Sequence, residues 1–470
     1  MVNIVFLNPP MTLKERYGDW AEGGSLAQPQ GLCSLAAVTR ENDYKTFIVD
    51  AAALNLSLDE TLKEIISFSP DYIGITATTN AIFKASEVAK KLKTIDDNIL
   101  VIIGGPHVTA TPKETMTLFQ EFDIGVIGEG EVTIVELLNA QEANGKLGEV
   151  DGLILRDNGA LRITRTREPI RDLDSLPLPA WDLLPELSKH YRPPAFSFNT
   201  LPSTSIITSR GCFGQCTFCD RSVFGNKVRA HSAGYVIEMM THLVENYGIR
   251  DIIIDDDNFL LFKPRLRDIC DKLVEKDFDL TWSCNSRVDI VNPDVLSLVR
   301  RAGCWQIAYG IESGSQDILD LLKKNIKLSQ IRTALKWTKD AGIRTKGFFL
   351  IGHPTETTET IRKTIDFAKS VELDDFQMSM FTPFPGSEIY NYAEKYGTFQ
   401  GDWKHMTGWH PVFIPKDMTE EELKRYSKKA FMEFYLRPKI ILSYLKRCTN
   451  VPSLLKMCKG GTILVRSLVG

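Results

Sequence analysis

Thr204-Ser205-Ile206-Ile207-Thr208-Ser209-Arg210-Gly211-Cys212-Phe213-Gly214-Gln215-Cys216-Thr217-Phe218-Cys219 decides how this chain is read. Residues 204–208 are apolar and β-branched and predict a buried strand. The following loop puts three cysteines inside eight residues, at spacings of four and three. No single helical face or strand presents all three, so they can wrap one compact metal centre. A cubane iron–sulfur cluster normally takes four cysteine ligands. Here no fourth lies nearby, which would leave one iron open to an outside ligand. Structural zinc wants four closed ligands, usually as two pairs, and the nearest candidate, His231, has no paired partner.

Downstream, strand-like runs at 204–208, 251–255, 281–288, 306–311, 345–351 and 375–381 alternate with helical segments. Six such units predict a partial (β/α)6 TIM-like barrel over residues 201–395, with its chemistry on the carboxyl ends of the strands. Those ends are polar. The second reads Asp255-Asp256-Asp257-Asn258-Phe259, which could also be a helix-capping acid cluster. The third alternates Ser283, Asn285 and Arg287 on one face. The fourth ends Tyr309-Gly310-Ile311-Glu312-Ser313-Gly314-Ser315, and the fifth Leu350-Ile351-Gly352-His353-Pro354-Thr355-Glu356-Thr357.

Upstream, residues 1–145 alternate strands near 4–7, 46–49, 72–76, 99–103 and 124–127 with helices, which predicts an α/β, doubly wound Rossmann-like sheet. Ligands bind such sheets at the carboxyl strand ends. Here those ends carry Asn8-Pro9-Pro10, the stretch from Thr76 through Thr78 to Asn80, Gly104-Gly105-Pro106-His107 and Gly128-Glu129-Gly130-Glu131. Residues 146–200 hold a hairpin pattern around Asp157-Asn158-Gly159 and proline runs through Pro177, Pro179, Pro193 and Pro194, the marks of a stiff linker. Residues 396–470 form a helical C-terminal region, with helices expected near 420–434 and 439–447.

Taken together, the C-x3-C-x2-C spacing with an aromatic before its last cysteine resembles the signature of radical S-adenosylmethionine (SAM) enzymes. The resemblance implies that Cys212, Cys216 and Cys219 hold a [4Fe–4S] cluster, whose open iron is chelated by SAM, and that reductive cleavage yields a 5′-deoxyadenosyl radical. It places Phe218 near the adenine, one of Asp255, Asp256 and Asp257 on the SAM ammonium, and Ser283, Asn285 and Arg287 on its carboxylate and sugar. Glu312 and Ser313 inherit ribose or methionine contacts, and Gly352 lets adenine approach. The glycine-rich ends of the first domain resemble the cobalamin-binding domain of one subclass, which implies contacts from Asn8, Pro9, Pro10, Thr76, Thr78, Gly104, Gly105, His107, Gly128, Glu129 and Gly130. The axial-histidine motif D-x-H-x-x-G is missing, so His107 is expected at a loop or ring edge. Members of this subclass methylate unactivated carbons or cyclise substrates, as the anaerobic magnesium-protoporphyrin IX monomethyl ester cyclases do. A methylthiotransferase would need a second cluster, and the first domain holds only Cys33. A non-catalytic iron–sulfur sensor or scaffold with a vestigial corrinoid domain is the rival from another class.

Length and composition agree. A chain of 470 residues exceeds one ordinary core. Six scattered cysteines beyond the trio do not make a disulfide scaffold and suit a reducing, cytoplasmic setting. No signal peptide or bilayer-spanning run is visible. From Lys424 onward eleven Lys or Arg face one acid, Glu433, although the whole chain carries −4. This basic, apolar tail suggests peripheral contact with the inner face of a membrane, and a lipid-like or otherwise hydrophobic small-molecule substrate. An external electron donor is a further expected partner. Nucleic acid is not, since no recognised module accompanies the basic residues.

Overall fold

The computed structural model describes residues 2–157, 159–193 and 197–446. The first sheet contains β1 (Asn3–Asn8), β2 (Lys45–Asp50), β3 (Tyr72–Thr76), β4 (Leu100–Gly104) and β5 (Ile124–Val126), with β6 (Leu153–Asp157) and β7 (Ala160–Ile163) from the hairpin. Its order is β2-β1-β3-β4-β5-β6-β7. Pairing is parallel through β5 and antiparallel from β5 to β7, so the hairpin extends the sheet. Because β1 pairs with β2 on one side and β3 on the other, the crossovers reverse there and leave a crevice above the strand ends.

The second sheet is built from β8 (Ser203–Ile206), β11 (Asp251–Ile254), β12 (Thr281–Ser286), β13 (Cys304–Glu312), β14 (Arg344–Ile351) and β15 (Asp375–Met380). A short antiparallel pair, β9 (Ser209–Arg210) and β10 (Arg229–Ala230), follows β8. The six strands are parallel in the order β15-β14-β13-β12-β11-β8, and the outer two do not meet. This is the open half-barrel that the sequence predicts. Register aligns Ser205, Ile253, Ser283 and Gln306 in one layer, and Asn285, Ala308 and Lys346 in the next. Outward from the lumen, Trp282 is buried and donates its indole N–H to the Ala302 carbonyl (2.7 Å).

Two segments fasten the halves. Gln28 donates to Thr204 Oγ1 (2.6 Å) and Gln30 to the Ser205 carbonyl, so a loop of the first domain reaches the barrel's first strand. Leu26 bridges to Arg192 in the connector. The C-terminal region does the rest: Trp403, Met406 and Val412 pack into the core on one face of the first sheet. Helix Glu420–Tyr435 lays Phe431 and Phe434 on Phe376 of the barrel. There Glu433 is clamped by Arg362 and Lys369, each at 2.6 Å. The expected helix near 439–447 is seen as Pro438–Leu445. The basic tail from 447 onward, Pro194 and Asn158 lie outside the described residues.

Candidate active site

The cysteine loop is anchored at its start. Asp256 is buried and accepts hydrogen bonds from the backbone N–H groups and hydroxyls of both Thr208 and Ser209, at 2.5 to 3.0 Å. That set occupies its acceptor capacity, so Asp256 ties strand to loop and has no room for a SAM ammonium. Farther on, a Cβ at Gly214 would stand 3.4 Å from Cys212 Sγ and 3.8 Å from Cys216 Sγ, so glycine keeps open the space between the sulfurs. The hydrogen bond from Cys219, with Lys324 and Arg287 nearby, holds the buried Cys216 below the ordinary thiol range and prepares it as a thiolate ligand. Among the described residues no three His, Cys, Asp or Glu side chains converge on a single ion. A cubane instead takes its ligands around its periphery. His231 stacks on Tyr235 (4.0 Å between centroids), with Nδ1 3.2 Å from Asp174, and is thus engaged elsewhere.

Beside the loop lies an acceptor with nothing to accept. Asn258 donates to Cys212 Sγ at 3.4 Å, while its Oδ1 is buried and finds no hydrogen-bond partner. A buried orphan oxygen is costly, and an ammonium chelated next to Cys212 would satisfy it. Asp257 is its exposed neighbour. Asp255, Ser283 and Asn285 line a cavity of about 250 Å³ in the barrel lumen. Asp255 is exposed to that cavity, and desolvation by the surrounding walls pushes its carboxyl up to about 6.

The other expected SAM contacts have the following neighbours in the fold. The third strand stops at Ser286, so Arg287 leaves the lumen row. It forks onto Asp289 (2.9 Å twice) and lies over Phe213 beneath the cysteine loop. Ser313 is fully buried, with its hydroxyl 3.2 Å from that of Thr364. Gly352 is packed under Leu423, its φ of +86° explaining the glycine. Phe218 joins the small core around Phe381. Glu312 is held at φ +66°, and its Oε1 meets Lys324 Nζ at 2.7 Å, both side chains buried.

Glu356 accepts from the N–H groups of Gly352 (2.9 Å) and His353 (3.1 Å). Burial outweighs those bonds and pushes its carboxyl up to about 7. A folded value above the unfolded one means that the folded chain holds the extra proton. This stabilisation is full below the unfolded value and is lost as pH rises through 7. Glu356→Gln should therefore flatten the fall in stability between pH 5 and 8 by roughly 3 kcal/mol, measured by urea unfolding at both pH values.

At the first domain's crevice a cavity of about 300 Å³ is lined by Thr76, Gly104, Gly105, Gly128, Glu129 and Gly130 among others. Its walls include Phe6, Leu35, Ile102 and Val126 and, from the barrel side, Phe224 and Tyr235. Gly105 has φ +97°, and a Cβ there would strike Thr76 Oγ1 at 2.8 Å, so only glycine fits this rim. A bare backbone floor with apolar walls suits a flat macrocycle. Asn8, Pro9, Pro10, Thr78 and His107 do not reach the cavity. Asn8 is held by Asp50 (2.8 Å) and Thr78 is exposed, bonded to Asn80. His107 is buried edge-on against Trp403 (4.4 Å), and burial lowers its imidazole to about 4, so it stays neutral behind the cavity.

The sequence reading had missed Arg210, Asn258, Lys324 and Lys346. Arg210 lines the first-domain cavity two residues before the first cysteine of the loop, as described below. Lys346 lines the lumen and is buried, its ammonium donating to Ser197 (2.8 Å). Its signal was available: it shares strand parity with Phe348 and sits level with Asn285.

Residues 206–368 match the Radical SAM superfamily and residues 20–138 the B12 binding domain. An uncharacterized methyltransferase of Pyrococcus horikoshii is 38% identical over 421 residues, covering 89% of this chain and 90% of that protein. The anaerobic magnesium-protoporphyrin IX monomethyl ester cyclase of Rubrivivax gelatinosus is 28% identical, covering 89% and 78%. The solved structure of OxsB, a cobalamin-dependent S-adenosylmethionine radical enzyme with aqua-cobalamin and S-adenosylmethionine bound, superposes with a TM-score of 0.75 at 17% identity, covering 97% and 72%. At that identity the likeness is one of fold.

Proposed function

Because this chain belongs to the radical SAM superfamily, in the branch that carries a B12-binding domain, we propose that it reductively cleaves SAM to functionalise an unactivated carbon of a hydrophobic small molecule, by C-methylation or by oxidative cyclisation or rearrangement. It is a cobalamin-dependent radical SAM enzyme, and its cofactors are a [4Fe–4S] cluster, SAM and cobalamin. When bound, the cluster supplies an electron to SAM and the corrinoid a transferable methyl group. The chain's own residues hold and orient these groups. Cys212, Cys216 and Cys219 ligate. Asn258 and Asp257 take the ammonium beside Cys212, while Asp255, Ser283 and Asn285 line the lumen next to it. The apolar walls of the first-domain cavity exclude water. No general acid or base is needed for hydrogen-atom transfer.

One observation supports this reading above the rest: the cysteine loop and the glycine-rich strand ends face each other, tied by Arg210. The test is anaerobic reconstitution of the full chain with dithionite and SAM, followed by chromatography for 5′-deoxyadenosine. A loaded cluster that yields none would favour the sensor reading.

We also propose peripheral contact with an anionic membrane. Helix Pro438–Leu445 buries Ile440 but leaves Ile441, Leu442 and Leu445 exposed beside Lys439 and Lys446, and Leu436 is 60% exposed just before it. Flotation with anionic vesicles should recover the protein at low salt and release it at high salt. Equal recovery with neutral vesicles would reject the idea. Among the described residues no helix is long and apolar enough to cross a membrane.

A further inference from the structure

The contact that joins the first-domain cavity to the cysteine loop is a buried ion network between the Gly128–Glu131 segment and the pair β9 and β10. Arg210 lies two residues before Cys212, on β9. Its Nη2 meets Glu131 Oε1 at 2.5 Å, and its Nη1 is 3.4 Å from Glu129 Oε1. Arg229, paired with Arg210 across β9 and β10, donates to both oxygens of Glu129 (2.7 and 3.0 Å) and to the Ile170 carbonyl (2.6 Å). Glu131 also accepts from Ser34 (2.8 Å), and Glu129 from the Ile170 N–H (2.7 Å). Phe224 lies 5.5 Å from the Arg210 guanidinium.

One buried donor of this network lacks a hydrogen bond. Arg210 Nη1 is buried and makes no hydrogen bond, its approach to Glu129 lacking the geometry of one. Arg210, Glu129, Glu131, Ser34 and Phe224 all line the 300 Å³ cavity. A ligand filling it would therefore touch the Gly128–Glu131 loop and the residue that leads into the cluster loop together. A buried charged donor without an acceptor costs free energy, which a ligand oxygen or amide carbonyl in the cavity would recover.

We propose that Arg210 is a positioning residue that couples the two cofactor sites: its free Nη1 donates to the corrinoid, and its Nη2 holds Glu131, so that occupancy of the cavity steadies the loop bearing Cys212. This rests on the cobalamin reading above. Such a linkage is reciprocal: whatever factor the cluster adds to corrinoid affinity, the corrinoid adds to cluster retention.

The experiment uses the full chain under anaerobic conditions, iron-free and cluster-reconstituted, titrated with hydroxocobalamin and followed by corrinoid absorbance. The cluster should tighten binding roughly fivefold or more, and hydroxocobalamin should slow iron loss to a chelator. Arg210→Lys, which keeps the charge but not the fork, should bring both ratios near one while each form still binds. Glu131→Gln serves as the second variant should Arg210→Lys fold poorly. A wild-type ratio near one, or an undiminished ratio in a folded variant, overturns the coupling alone. If neither form binds hydroxocobalamin, the corrinoid reading falls and the coupling with it.

Discussion

Changing Cys212, Cys216 or Cys219 singly to alanine should leave protein that folds but carries iron and sulfide near background after reconstitution, with 5′-deoxyadenosine production lost. In the proposed reading the cluster has only these three protein ligands to share, and the chemistry needs its remaining iron for SAM. Taking one thiolate away opens a second corner and leaves the cubane held by two residues of one loop. The fold should tolerate the change, because Cys219 is exposed, Cys212 half-buried, and the buried Cys216 lies outside the hydrophobic core clusters. Cys270, fully buried in the barrel core, is the matched control. Cys270→Ala should cost some stability, roughly 1 kcal/mol or more, yet keep the cluster and its turnover. Iron and sulfide analysis with electron paramagnetic resonance separates the two classes. Full iron content in a Cys216→Ala protein would show that another residue holds the cluster.

Lys324→Met should be the most damaging single change away from the cysteines. Lys324 and Glu312 form a buried pair at 2.7 Å, each side chain 9% exposed. Burial works against the Lys324 ammonium, but Glu312 and the Cys216 thiolate outweigh it and raise its affinity for the proton. Removing it strands a buried carboxylate and a thiolate ligand without their cation, at a cost of about 3–5 kcal/mol. The double variant Lys324→Met with Glu312→Gln removes both charges and should regain most of that stability. Gln is preferred to Leu because it keeps the shape of the Glu312 side chain and a hydrogen-bonding end without the charge. Turnover should stay low in the double variant if Glu312 also serves SAM. Guanidinium unfolding of the two proteins checks the first part: equal losses would show that the pair contributes little.

The barrel and the doubly wound sheet were legible because their strands are apolar runs closed by Gly, Pro, Asn and Asp, which fix strand count and direction. The cysteine loop was legible because ligand spacing is local. The hairpin over 153–163 was visible as a hairpin, but its place on the edge of the first sheet was not, since antiparallel pairing to β5 depends on distant partners. The same limit explains the SAM contacts. Asp255, Asp256 and Asp257 read alike in sequence, yet one faces the lumen, one is consumed by Thr208 and Ser209, and one stands beside the cluster loop. Arg287 followed strand parity until the strand ended one residue earlier. Arg210 and Lys324 could not be assigned from sequence, because a lone cation declares itself only through the acid, hydroxyl or cavity it meets; Lys346 could have been, from its strand parity.

The loop carrying Gln28 and Gln30 has a consequence for portability. Since Thr204 and Ser205 are partnered by those two side chains, the half-barrel is not a module that can be cut out and fused elsewhere. Freed of its neighbour, the lumen beside Asp255 and Lys346 would flood from the side that this loop now stoppers. A chimera would have to bring residues 25–30 along with the strands, however far away they lie in the gene.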